Sequence, residues 1–235
     1  MSRLLTALRW EAVLQARSQF YTLTAVVAVI WIVLVRLLPA ALRATPEAIA
    51  PAFIAVNLQI TAFYFATALV LLEKGQGALR ALVVSPLRPG EYLAAKVLSL
   101  MALGIAENGL VVAVVFGLDL NWGWLLLGTA ALGAIYVLLG LGVIARYDAI
   151  NAFLMPSVLI IFTLTTALLA FYELVPLWSM AWHPVLPPLL LMRAAWVPIG
   201  VDALAYGLIG SVVWLVVFAV WARRRFVHLI APAAA

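Results

Sequence analysis

The residues able to do chemistry in this chain are few, and their spacing rules out more than it offers. The 235 residues contain no cysteine, which excludes disulfides, thiolate zinc sites, iron–sulfur ligation and a cysteine nucleophile. The two histidines, His183 and His228, lie far apart and show no metal-ligand spacing. No Ser–His–Asp set, HExxH or paired-carboxylate arrangement can be assembled. No GxxxxGK[ST] occurs either; Gly75-Gln-Gly77 lacks the lysine and the following helix that cradle a phosphate. Three polar clusters remain: residues 73–96, Glu107 with Asn108, and residues 146–151.

Residues 73–96 read EKGQGALRALVVSPLRPGEYLAAK. The charged pair Glu73–Lys74 stops an apolar run, and Gly75 and Gly77 let the backbone turn. The spacing predicts a short helix over Ala78–Val84, with Leu79, Leu82 and Val83 on one side and Arg80 near the other. Ser85-Pro86 ends it, because the residue before proline is pushed out of the α region. Leu87, Arg88 and the turn at Pro89-Gly90 follow, and Glu91 suits the first turn of the next helix. Two readings stand: a stiff lever that carries a push from a partner, or an amphipathic connector lying on lipid headgroups.

Glu107 and Asn108 fall inside an apolar run. A carboxylate in hydrocarbon costs several kcal/mol unless it is paired, protonated or facing water. It contacts a cationic cargo or partner, or it holds a helix interface through Asn57 or Gln59. Arg146 and Asp148 suit a local ion pair or a partner's seat, Asn151 can cap the helix after them, and Pro156 would kink that helix.

These groups need an apolar scaffold to hold them. The chain is 68% hydrophobic and 10% charged, with a mean hydropathy of +1.19. A soluble fold has too little interior for that much apolar surface. Six runs reach the roughly 20 residues needed to cross a bilayer: Phe20–Leu38, Ala50–Leu72, Ala94–Gly117, Trp122–Ala145, Ala152–Tyr172 and Ala203–Trp221. In hydrocarbon the backbone must satisfy itself, so these are helices, and no alternating strand period suggests a barrel. Gly128, Gly133, Gly140 and Gly142 in the fourth run suit close helix packing. Residues 2–19 read as an interfacial amphipathic helix, with Arg3, Arg9, Trp10, Glu11 and Arg17 set against Leu4, Leu5, Leu8, Ala12 and Leu14.

With six spans, Lys and Arg divide 11 against 3. One side carries Arg3, Arg9, Arg17, Lys74, Arg80, Arg88, Lys96, Arg146 and Arg223–Arg225; the other carries Arg36, Arg43 and Arg193. The crowded side is cytoplasmic by the positive-inside rule, with both termini on it. The net charge of +5 therefore reads as membrane anchoring and not as nucleic-acid binding. Between spans five and six, residues 174–200 hold Pro176, Pro184, Pro187, Pro188 and Pro198 with Trp178, Trp182 and Trp196. So many prolines forbid one helix, yet Val185–Ala195 is apolar. Short broken helices dipping into the outer leaflet reconcile the two.

Glu73, Lys74, Gly75, Ser85, Pro86, Leu87 and Lys96 together resemble the coupling region of ABC-2 type export permeases. The six spans and interfacial helix extend the resemblance over nearly the whole chain. LEKGQGALRALVVSPLRPGEYLAAKVL, with ARYDAIN and MPS later, is similar to fluoroquinolone-export permeases. Ala78 and Arg80 stand where ABC-2 permeases usually carry Thr or Ser, then Glu. The resemblance implies a single all-α domain over 1–235: an interfacial helix (1–19), spans 1–2 (20–72), a coupling loop (73–93), spans 3–5 (94–173), an external re-entrant segment (174–200), span 6 (203–221) and a cytoplasmic tail (222–235). It implies coupling to an ATPase through Glu73, Lys74, Gly75, Arg80, Ser85, Pro86, Leu87 and Arg88. The polar residues within the spans, Glu107, Asn108, Asn57 and Gln59, are the candidate substrate pathway, and the resemblance implies an outer gate at Pro184, Pro187 and Pro188, where a plain interfacial cap is the alternative.

The expected assembly is a homo- or heterodimer in a bacterial cytoplasmic membrane. This chain is expected to bind no cofactor; ATP and Mg sit on a separate cytoplasmic ATPase subunit, and lipid is the other partner. The expected cargo is hydrophobic or amphipathic, drug or lipid-like. A haem-exporter subunit of cytochrome c maturation and a membrane enzyme or scaffold are the competing readings.

Overall fold

The computed structural model describes residues 3–79 and 87–230, the side chains of 228–230 excepted. Arg80, Ser85 and Pro86, and most of the expected Ala78–Val84 helix, lie outside the described residues. Among the described residues there are helices and no strands, and six of the helices are long and apolar enough to cross a membrane. It is an all-α multi-pass membrane protein.

The order is α1 (Arg3–Arg17), α2 (Phe20–Leu37), α3 (Ala40–Arg43), α4 (Pro46–Leu58), a π-helical segment (Gln59–Tyr64), α5 (Phe65–Gly75) and α6 (Pro89–Phe116). Then follow α7 (Trp122–Ile144), α8 (Ile150–Thr165), α9 (Ala167–Phe171), a 3₁₀ turn (Leu177–Met180), α10 (Leu186–Arg193) and α11 (Val201–Ile230). The spans are α2, α4 through α5, α6, α7, α8 with α9, and α11. Several run past their apolar cores. Pro46 and Pro89 open two of them at positions where a missing N–H costs nothing. At the second opening the Glu91 carboxylate accepts the Arg88 backbone N–H at 2.8 Å. Asn151 lies inside α8, so the capping position falls to Ala149.

The second and fourth spans form the centre, with 72% and 78% of their apolar stretches buried, against 22%, 22% and 11% in the first, fifth and sixth. Two close backbone approaches define that centre. A methyl at Gly140 would stand 2.8 Å from the Phe63 carbonyl of the π segment. A methyl at Gly128 would stand 2.8 Å from the Pro188 carbonyl, so the fourth span's missing side chain is where α10 sits.

Candidate functional site

Glu73 and Lys74 are neighbours in sequence but do not pair with one another; they reach in different directions. Glu73 turns toward Lys96, which is wholly buried in α6. The Lys96 ammonium meets Glu73 at 2.8 Å and Glu11 of α1 at 3.0 Å. The Tyr92 hydroxyl donates to the other oxygen of Glu73, and the Tyr92 ring lies under the ammonium at 4.9 Å from its centroid. Gln15 adds a 2.9 Å hydrogen bond to Ser99 one turn along. Burying an ammonium is tolerable only when it is paired and hydrogen-bonded. Here both carboxylates are needed, and they arrive from the interfacial helix and the end of the second span.

α1 therefore docks through a polar stripe. Glu11 and Gln15 are its buried residues, while Leu5, Trp10 and Val13 are exposed. Of the apolar side expected from sequence, Leu5 and Ala12 are exposed, Leu4 and Leu8 are half-buried, and Leu14 packs against the core beside the polar stripe. Burial pushes the Glu11 carboxyl above its ordinary 4.5, against the opposing pull of Lys96.

Lys74 turns the other way. Its ammonium donates to the carbonyls of Tyr147 at 2.7 Å and Ile144 at 3.4 Å, closing the C-terminus of α7, and it pairs with Asp148 at 3.2 Å. Asp148 thus pairs with Lys74 and not, as its neighbour suggested, with Arg146. Tyr92 stacks on Phe226 of α11, with ring centroids 4.7 Å apart. Around Glu73 and Lys74, then, α1, spans two, three, four and six and the 146–151 turn are joined at one end of the bundle. Gly75 closes α5 with open space around it, and Leu87 and Arg88 lead into α6.

A second polar cluster lies deep between spans two and three. Asn57 donates to Asn108 at 3.0 Å, and Asn108 donates to the Gly104 carbonyl at 2.8 Å. Gln59 turns away and donates to Thr165 of α8 at 3.1 Å. Glu107 is 3% exposed; Asn57 and Thr61 stand beside it, yet neither completes a hydrogen bond to its oxygens. The Tyr136 hydroxyl is likewise buried without a partner.

At the opposite end, Pro187 and Pro188 lie in the first turn of α10 and start it; they do not break it. Pro184 sits in the turn before them. α10 is buried from Leu186 to Met192 and packs against α4, α7 and α11. Arg193 closes on Glu173 at 3.8 Å, the Tyr172 hydroxyl donates to the Ala48 carbonyl at 3.2 Å, and Asn121 N–H donates to the Ala195 carbonyl at 2.8 Å. His183 is 1% exposed. Its Nδ1 accepts the Val185 N–H at 3.2 Å, so Nε2 carries the proton and donates to the Thr163 carbonyl at 3.1 Å. Both nitrogens are occupied, which leaves none for haem iron. Among the described residues no group of three metal-ligating side chains forms.

Sequence reasoning placed Glu73, Lys74 and Lys96 at one end but missed Glu11 and Tyr92 as their partners, and missed Thr61 beside Glu107 and the buried Tyr136. One signal was available: Lys96 lies two turns inside an otherwise apolar helix, where an unpaired ammonium could not stay.

Comparison with known proteins fits this architecture. Two relatives from Mycobacterium tuberculosis, the fluoroquinolones export permease proteins MT2761 (strain CDC 1551 / Oshkosh) and Rv2687c (strain ATCC 25618 / H37Rv), are each 35% identical over 118 residues. That match covers 50% of this chain and 48% of each relative, so it spans about half the length of the relatives. Residues 2–233 match one family throughout, and the chain belongs to the fluoroquinolones export permease protein family.

Proposed function

We propose that this chain is the membrane subunit of an ATP-driven exporter. A separate cytoplasmic ATPase, holding ATP and Mg, docks at the end where Glu73, Lys74 and Lys96 converge. A second permease copy or a related permease completes the pathway, in a bacterial cytoplasmic membrane with both termini inside. The cargo is a hydrophobic or amphipathic drug-like molecule, with fluoroquinolones the first candidates from the relatives' names. Residues 73–93 act as the coupling loop, and α10 with Pro184, Pro187 and Pro188 as the outer gate.

The observation that carries the reading is the buried Glu11–Lys96–Glu73 cluster. A push on the loop between spans two and three reaches both spans and the interfacial helix through one set of short contacts, without being lost in a flexible joint. The basic residues crowded at that end support the orientation. Inverted vesicles carrying the chain together with an ATPase encoded beside it should take up norfloxacin only when ATP is supplied. Uptake that is equal without ATP, or without the ATPase, would refute the proposal.

A further inference from the structure

Of the nine acidic residues, Glu107 is the one placed deep within a span with no cation beside it among the described residues. Glu11 and Glu73 share Lys96, Asp148 meets Lys74 and Glu173 meets Arg193. Glu91 caps α6 by accepting the Arg88 N–H. Glu47 and Asp202 stand in the first turns of their helices, and Asp119 lies in the exposed α6–α7 connection.

Among the described residues, the groups beside Glu107 are neutral. From the second span they are Asn57 and Thr61, and from its own helix Asn108. The fourth span has one titratable side chain, Tyr136, which is buried, and the first span's cation, Arg36, is engaged with the Val114 carbonyl at 2.9 Å. That carbonyl lies two turns along α6, about 10 Å by helical rise. A carboxylate so enclosed pays a desolvation cost of several kcal/mol with nothing to offset it.

The element opposite departs from regular α-helix. Gln59–Tyr64 is π-helical, so the second span carries local slack in its hydrogen-bond register beside Glu107. Hydroxyls cover carbonyls there: Thr61 donates to Asn57 at 3.3 Å and Thr67 to Tyr64 at 2.8 Å. A return to α-helical register would rotate Asn57 and Thr61 relative to Glu107 and uncover its carboxyl group.

We infer that Glu107 is a gated acid selecting cationic amphiphiles: neutral while spans two and three are packed together, and an anionic binding group once the π segment shifts. On opening, the carboxyl O–H bond breaks, its proton passes to water in the pathway, and the carboxylate pairs with the ammonium of the cargo. On closing, a proton from water replaces that ammonium. The inference rests on the exporter reading and deepens it by naming the cargo's charge.

Two measurements test it. Infrared spectra of the full chain in lipid nanodiscs at neutral pH should show a protonated-carboxyl C=O band that is missing from Glu107→Gln. Identical spectra in that region would overturn the inference. With the ATPase present, Glu107→Gln should lower export of ethidium, a fixed cation, by about 30-fold, the loss expected when one partner of a buried charge pair is removed, while export of neutral Nile red stays near parent level. An equal fall for both dyes overturns the cargo assignment and leaves the exporter reading standing. Failure of the parent complex to export either dye or norfloxacin sinks the exporter reading, and the cargo assignment with it, while the infrared result still decides the protonation state. Should Glu107→Gln not fold, Glu107→Asp, which keeps the acid and shifts the band, replaces it in the infrared arm, and Glu107→Leu, which removes the acid, replaces it in the export arm.

Discussion

Lys96→Met removes the ammonium that Glu11 and Glu73 share and leaves the two carboxylates facing each other. At 2.8 Å and an effective dielectric near 20, each contact is worth about 6 kcal/mol of Coulomb energy before desolvation is subtracted. Much of that is offset, and removing one member of a buried ion pair has a net cost of about 3–5 kcal/mol. Thermal unfolding in detergent, followed through the nine tryptophans, should shift down by on the order of 10 °C. Adding Glu11→Gln and Glu73→Gln to Lys96→Met removes the stranded charges and should recover much of the loss. A Lys96→Met protein within about 1 kcal/mol of the parent would mean that the cluster behaves as a solvated surface pair, and would refute the reasoning.

Three further outcomes follow from the same geometry. Lys74→Met should destabilise by about 1–3 kcal/mol because two α7 carbonyls lose their donor, whereas Asp148→Asn, at a side chain 94% exposed, should change little; the two midpoints compared side by side decide it. Gly128→Ala should cost about 1–3 kcal/mol and raise protease sensitivity around α10, since the obstructing atoms are Met192 Cγ at 2.6 Å and two backbone atoms that cannot step aside, Pro188 O and Met192 N. The Glu11 carboxyl is raised above 4.5 when folded, so the folded state binds its proton more tightly and this group's contribution to stability is lost as pH rises from 4.5 through the raised value. The stability gained on mild acidification should flatten in Glu11→Gln, and an unchanged slope would contradict the assignment.

The spans were legible because hydropathy and charge asymmetry are sums over many residues. Pairings across the chain were not: Glu11 and Lys96 are separated by 85 positions, and nothing local in either segment names the other. The same holds for Lys74, whose partners are mostly backbone carbonyls. The π segment at Gln59–Tyr64 was invisible because hydropathy does not record which carbonyl each N–H meets. Pro187 and Pro188 were read as breaks, but their meaning depends on their place in a helix: in the first turn they favour it. Glu107 was legible as an anomaly in an apolar run. Its lack of a completed hydrogen bond was not, since that depends on where Asn57 spends its donors.

Everything proposed for transport requires that the basic end face the cytoplasm and receive the ATPase. The cysteine-free chain allows single thiol probes, Asp148→Cys on that end and Asp119→Cys on the other. With a membrane-impermeant maleimide, the thiol introduced at position 148 should be labelled only from the cytoplasmic side and be protected when the ATPase is bound. The thiol introduced at position 119 should be labelled only from outside. Labelling with the sides reversed, or equal reactivity at position 148 with and without the ATPase, would contradict the account.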